Sequence, residues 1–270
     1  MRHAIVTETW PPEVNGVALT VQALEQGLRA RGHEVQRVRP RQSPTQDAEA
    51  GETLVRGANL PRYPGLKFGL PATGQLQRLW RKSRPDAIYV ATEGPLGWFA
   101  LRAARRLGIP VATGFHTRFD RYMRDYGVAF LQPVALRWMR HFHNLADATL
   151  VPTRELRGFL QGSGFDNVVL LPRAVDTRQF QPMFRDPALR RSWGVADDAP
   201  VAIHVGRIAA EKNLALAVRA CRELQRLRPD ARFAWVGDGP ARAQLQREHP
   251  DFIFCGVQRG EALARHFASG

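Results

Sequence analysis

Lysine is almost missing from this chain. Lys67, Lys82 and Lys212 are its only lysines, and arginine supplies the rest of the 39 basic residues. Against 25 acidic residues this leaves a formal net charge of +14, which favours phosphorylated ligands or an anionic membrane surface as partners. A basic run with interleaved aromatics is also missing, so no nucleic-acid partner is expected. Cysteine is limited to Cys221 and Cys255, which offer neither a disulfide framework nor a metal-ligand spacing. That scarcity fits a reducing cytoplasm, and no metal site is expected. No apolar run approaches the ~20 residues needed to span a bilayer, and Met1 leads directly into a strand-like run without a signal peptide. A soluble or peripheral protein follows. Gly-Lys-Ser/Thr occurs nowhere, and "VGDGP" at 236–240 has Gly-x-Gly without a third glycine. P-loop nucleotidases and NAD enzymes are thereby disfavoured.

What is present is an alternation of short β-type runs with longer helical patterns, in a chain of 270 residues with 44% hydrophobic content, enough for two modest domains. The pattern predicts strands over 3–9, 34–38, 87–91, 110–114, 148–151 and 168–171, with helices over 17–31, 96–107, 131–145 and 154–161. Residues 40–75 read as long surface loops around a weak strand at 53–56. A Pro-rich linker at 171–187 then leads into a second alternation, with strands over 201–205, 232–236 and 252–254 and helices over 214–227 and 241–247. A further helix starts at Glu261. Three strands make a thin sheet, so the second unit is expected to be incomplete. The implied domains are 1–172 and 173–270.

In open parallel sheets, ligands collect at the carboxyl ends of strands, where helix amino termini present N–H groups. Arg207 and Lys212 in "VGRIAAEKNL" sit at such an end, and a pair of phosphates is the ligand that most needs two fixed cations there. Two solvated surface charges are the competing reading. Gly16 in "PPEVNGV" allows an anion close approach to the backbone, or else closes an ordinary turn with Asn15 as helix cap. His116 follows the strand at 110–114, where an imidazole serves catalysis or sugar binding, though a lone histidine is more often a plain hydrogen-bonding residue. His141 and His143 point to different faces of their helix and form no metal pair. The helix at 130–145 carries an apolar face rimmed by Arg137 and Arg140. Core packing explains that stripe better than membrane contact does.

Six stretches in register carry more than this. "TETWPPEVNGVALTVQALEQGLRARGHEV" (7–35), "ATEGPLGWFALRAARRLGIPVATGFHTRFDRYMRDYG" (91–127), "VPTRELRGFL" (151–160), "LPRAVDTRQF" (171–180), "HVGRIAAEKNL" (204–214) and "WVGDGPARAQL" (235–245) resemble the retaining glycosyltransferases of family four, closest to GDP-mannose-dependent α-mannosyltransferases and related glycolipid transferases. The resemblance implies an α/β GT-B fold of two Rossmann-like doubly wound domains, the first on the acceptor side and the second, incomplete here, binding the nucleotide sugar. It implies that Arg207 and Lys212 hold the donor diphosphate, that Gly16 comes close to donor and acceptor, and that His116 contacts the donor sugar as the catalytic residue. The loops at Gly237 and at Cys255 and Gly256 fall where the family meets the nucleotide base and ribose. Glu211 matches no phosphate-binding cation.

The implied reaction moves a hexose, mannose by this resemblance, from a nucleotide-diphosphate sugar such as GDP-mannose to a lipid or glycan acceptor, with no separate cofactor. The implied place is the cytoplasmic face of a membrane. Without a metal, arginine, lysine and helix dipoles must stabilise the departing diphosphate. The family's acidic pair, eight positions apart beyond the helix after Gly260, has no counterpart here, so weak donor binding and poor turnover are expected. A nucleotide-sugar epimerase on the same fold and a non-catalytic membrane-associated fragment are the alternatives.

Overall fold

The computed structural model describes residues 1–11, 13, 16–43, 45–59, 67–116 and 132–270. Asn15, the expected helix cap, and the start of the helix expected from 131 lie outside them. The chain divides into two compact units, Met1–Arg173 and Ala174–Gly270.

The first unit opens with β1 (Arg2–Val6), α1 (Gly16–Ala30) and β2 (Glu34–Pro40). Val17, Val21, Leu24 and Leu28 recur at helical spacing along α1 and face Ile5 and Val35. The helix ends in a Schellman closure: Gly32 takes φ +76°, its N–H reaches Arg29 O, and the His33 N–H reaches Leu28 O. β1 stops at Val6 rather than at 9. Thr7 Oγ1 donates to Thr9 O at 2.8 Å and accepts from Thr9 N at 3.2 Å, which turns the chain out of the strand.

β3 (Glu52–Val55) is followed by a small antiparallel pair, β4 (Gly57–Asn59) and β5 (Lys67–Gly69), and by α2 (Thr73–Lys82). The weak strand expected at 53–56 is β3, whereas the loops expected around it contain β4, β5 and the start of α2, and the span up to 87 was left without a helix. Leu76, Leu79 and Trp80 give α2 an i, i+3, i+4 stripe that packs into the core. Its short length, just after a stretch rich in proline and glycine, hides that period.

The alternation continues with β6 (Ala87–Val90), α3 (Pro95–Leu107), β7 (Val111–Gly114), α4 (Gln132–Asn144), β8 (Ala148–Val151), α5 (Arg154–Gly162) and β9 (Val168–Leu170). The seven-stranded sheet is ordered β3-β2-β1-β6-β7-β8-β9, parallel throughout. Helices α2, α3 and α4 share one core, through Trp80, Leu101 and Phe142. The chain leaves β1 toward β2 but leaves β6 toward β7. This reversal opens a crevice at the carboxyl ends of β1 and β6, the usual ligand position in such sheets.

A buried charge cluster fixes the loop that enters this crevice. Arg37 donates to Glu25 at 3.1 and 3.2 Å, to Glu52 at 2.9 Å and to Glu49 at 2.6 Å, and its guanidinium lies 4.1 Å from the Trp10 ring. Glu52 also accepts from Arg39 at 2.6 Å. Burial pushes the Glu52 carboxyl up, but Arg39, the Glu49 N–H and Arg37 together hold it below the ordinary value. A charge set so fully paired tolerates burial, and the Arg37 guanidinium packs on Trp10 beyond the end of β1.

The second unit contains α6 (Pro187–Ser192), β10 (Val201–Val205), α7 (Leu214–Leu227), β11 (Arg232–Val236), α8 (Arg242–Glu248), β12 (Ile253–Gly256) and α9 (Gly260–Ser269). Its parallel sheet is ordered β10-β11-β12, over a core of Ile208, Phe233, Trp235 and Leu245. Helix α6 was not anticipated. Asp186 caps it by accepting from Ala188 N and Leu189 N, with Pro187 at its first position. Arg190 on α6 is buried and donates to the carbonyls of Ser269, Ala196 and Ala199 at 2.7, 2.8 and 2.5 Å. α6 is thus tied to the end of α9.

Candidate functional site

In the second unit, the residues singled out from the sequence collect at one edge. Arg207 follows β10, Gly237 follows β11, and Cys255 and Gly256 end β12, so all of them lie at the carboxyl ends of the three strands. The edge is drawn tight by backbone bonds: Gly206 N to Val236 O, Gly237 N to Gly256 O at 2.8 Å, and Ile208 N to Asp238 O. Gly237 has φ +145°, and a Cβ there would fall on the carbonyl oxygen of Gly206. A Cβ on Gly239 would likewise fall on the Ile208 carbonyl. The glycines of "VGDGP" therefore serve close approach of one loop to the next.

Arg207 is half exposed, and its Nε lies 3.5 Å from Glu211 Oε1. Glu211, which matches no phosphate-binding cation, is thus an anionic neighbour of this guanidinium. Lys212 ends a 3₁₀ turn, Ala210–Lys212, and is followed by Asn213 in the left-handed region at φ +51°, from which α7 starts. The Lys212 charge, after burial, holds the His204 imidazole of β10 below its ordinary value. Sequence reasoning passed over Arg242. It pairs with Asp238 at 2.9 Å and lies 3.9 Å from where a Cβ on Gly256 would be. Asp238 is held below the ordinary carboxyl value by the Gly239 N–H and then by Arg242. Cys255 is half-buried, and burial pushes its thiol up despite an opposing bond from Trp193. A thiol held by burial in its protonated form is a poor nucleophile.

In the first unit, the crevice between β1 and β6 gathers residues that sequence reasoning did not name. Glu8 follows β1 and accepts from Leu96 N at 2.8 Å and from Gly69 N at 3.3 Å, at the start of α3, where a carboxylate offsets the helix dipole. Burial pushes the Glu8 carboxyl above its ordinary value, although the Leu96 and Gly69 N–H groups oppose this. Glu93 follows β6 and lies 3.4 Å from Nε2 of the buried His143, whose Nδ1 meets Thr113 Oγ1 at 2.8 Å. His116 follows β7, with Nε2 2.6 Å from the Tyr89 hydroxyl. Gly16 begins α1, and Arg173 Nη1 stands 4.0 Å from where its Cβ would be. Arg173 also acts electrostatically on both Tyr89 and His116. Gly16 and His116, proposed separately from the sequence, therefore share one crevice with Tyr89, Glu93 and Arg173. The signal that finds the others is strand order: Glu8 and Glu93 each come two or three residues after the strands flanking the reversal.

The long helix packs part of its apolar stripe into the core and leaves part exposed. Met139 and Phe142 are buried in the core, whereas Val134 and Trp138 are 68% and 43% exposed. Among the described residues, no helix is long and apolar enough to cross a membrane.

Comparison with known proteins places this geometry. Residues 14–179 match the model of Glycosyltransferase Family 4, and residues 186–250 match Glycosyl transferases group 1. A GDP-mannose-dependent alpha-mannosyltransferase of Mycobacterium tuberculosis is 34% identical over all of this chain and 71% of its own length. Its counterpart in Mycolicibacterium smegmatis is 36% identical, again over the whole chain and 72% of that protein. Among solved structures, sucrose-phosphate synthase from Thermosynechococcus elongatus superposes with a TM-score of 0.69 at 16% identity, covering 100% of this chain and 73% of that one. That likeness shows the fold, the GT-B class of paired α/β units. The chain belongs to glycosyltransferase family 4.

Proposed function

We propose that this glycosyltransferase moves mannose from GDP-mannose to a lipid-linked or glycan acceptor, with retention of configuration. The observation that carries the donor side is the cationic edge of the second unit, where Arg207 and Lys212 flank glycine-tightened loops. A departing nucleotide diphosphate needs fixed positive charge, and these cations with the turn that opens α7 supply it. Gly237, Cys255 and Gly256 are read as lining the place for the base and ribose in the second unit, and in the first unit Gly16 and His116 line the crevice read as taking a sugar. In this reading the leaving phosphate oxygen takes the proton of the acceptor hydroxyl, so no side-chain base is needed. Relatives described as using GDP-mannose support the choice of donor. Calorimetry on the chain with GDP-mannose, UDP-glucose and free mannose tests it. Heat is expected with GDP-mannose, and a folded protein giving none with either nucleotide sugar overturns the reading.

The acceptor side is read as an anionic membrane surface. Helices α2, α3 and α4 lie over one core and together carry seven arginines and Lys82 without a single Asp or Glu. All eight cations are exposed, and none pairs with a carboxylate among the described residues. Trp98 and Trp138 stand 5.0 Å apart on this face, with His141 5.7 Å from Trp98. Arg102 lies 5.9 Å from the Trp98 ring, and tryptophan beside arginine suits the headgroup layer, where each cation adds about 1 kcal/mol. Arg102→Glu combined with Arg137→Glu is expected to lower sedimentation with phosphatidylglycerol-containing vesicles by about tenfold or more. Equal binding to pure phosphatidylcholine vesicles would remove this part of the proposal.

A further inference from the structure

The Tyr89–His116 contact is built with some care. Tyr89 comes from β6 and His116 from just beyond β7, and their atoms meet at 2.6 Å over the backbone of Gly114. A Cβ on Gly114 would fall against the Tyr89 hydroxyl and, at 2.5 and 3.0 Å, against Nε2 and Cδ2 of His116. The bare backbone at this point is therefore what lets the pair form, and the Nε2 edge of the imidazole faces the sheet. Nδ1 lies on the other edge of the ring and has no hydrogen-bond partner among the described residues.

The direction of the bond follows from acid–base chemistry. A phenol is a stronger donor than a neutral imidazole N–H, and an imidazole nitrogen is a stronger acceptor than a phenol oxygen. Burial pushes the Tyr89 phenol well above its ordinary value, so it keeps its proton. Burial also holds the His116 imidazole below its ordinary value. Glu93 pulls against this, while Arg173 and His143 add to it. The ring is thus neutral, and its single proton goes to the nitrogen that Tyr89 does not occupy.

We propose that Tyr89 is a positioning residue for His116: its hydroxyl donates to Nε2, fixes the imidazole as the Nδ1–H tautomer and presents Nδ1–H as a donor to a substrate oxygen in the crevice of the first unit. The tautomer stands on the geometry of the first unit alone. Its use toward a substrate rests on the function proposed above. In such a site His116 acts as a fixed neutral donor that gives up no proton. It contributes by orienting a hydroxyl or phosphoryl oxygen, which suits a reaction in which the leaving phosphate itself takes the acceptor's proton.

Long-range ¹H–¹⁵N spectra of the ligand-free chain labelled at histidine, with His116 assigned by its loss in His116→Gln, read the tautomer directly. The wild-type chain is expected to show Nδ1 protonated and Nε2 bare. Tyr89→Phe, which keeps the ring volume, is expected to shift His116 toward Nε2–H and, with GDP-mannose, to lower kcat about tenfold while leaving KM nearly unchanged. A wild-type His116 protonated at Nε2 overturns the proposal. So does an unchanged tautomer in Tyr89→Phe. Because the spectra need no ligand, absence of GDP-mannose binding refutes the proposed function and leaves the tautomer decided on its own.

Discussion

Alanine in place of Arg207 or of Lys212 is expected to lower mannosyl transfer by about 10²-fold or more, and to weaken the binding of GDP along with it. Charge on the bridging oxygen grows as the glycosidic bond breaks, so each cation aimed at the diphosphate contributes more in the transition state than in the ground state. The two substitutions differ in kind. Arg207 meets Glu211 through Nε at 3.5 Å, and its guanidinium is a planar fork able to bind two phosphate oxygens. Arg207→Lys should therefore recover only part of the loss. Lys212 is held by the backbone kink at Asn213, and Lys212→Arg should retain more, because a point charge at the end of the strand is what the position supplies. Steady-state rates with GDP-mannose, paired with calorimetry for GDP alone, separate lost transition-state stabilisation from lost donor binding. If both alanine variants turn over at the parent rate, the cationic edge is not the diphosphate site.

Much of this edge was legible before any coordinates. Strands 148–151, 201–205 and 232–236 and the helix over 214–227 agree residue for residue with the structure, because each is an apolar run or stripe bounded by glycine, proline or a change of period. Arg207, Lys212 and Gly237 could be placed at strand ends for the same reason. What stayed hidden depends on contacts distant in sequence. Tyr89 and His116 are 27 residues apart, and Glu8 meets Leu96 across 88. No local pattern reports such pairs, which appear only once the strand order juxtaposes β1, β6 and β7. Helix α2 was missed for a different reason: three apolar positions in ten residues carry too little periodicity to stand out after a Pro- and Gly-rich stretch. "VGDGP" fails the dinucleotide fingerprint and Gly237 was assigned to the base and ribose by resemblance alone, whereas the steric need for its glycines shows only in the structure.

That steric reason yields the largest effect expected on stability. Gly237→Ala should destabilise the second unit by about 4 kcal/mol or more, an effect of a size reserved for a few mechanisms. Two of those mechanisms act here together. The φ of +145° is one that side-chain-bearing residues rarely adopt, and the added methyl would meet the Gly206 carbonyl, a backbone group that cannot rotate away as a flexible side chain can. Relief requires β10 and β11 to separate at their carboxyl ends. That breaks the Gly206 N to Val236 O bond between β10 and β11 and moves the loop bearing Arg207 away from the β11 end. A unit of 97 residues, Ala174–Gly270, has about 5–15 kcal/mol of stability in total, so the variant should be largely unfolded in that half by mild urea while the first unit persists. Gly158→Ala is the matched control: it lies within α5 with nothing within 4 Å of the added carbon and no positive φ, and should raise stability by about 0.5–1 kcal/mol. Urea unfolding followed separately by Trp80 and Trp235 fluorescence in single-tryptophan backgrounds distinguishes the halves. Equal midpoints for Gly237→Ala and the parent would mean that the two loops tolerate separation, and the tight edge would lose its place as the scaffold of the donor site.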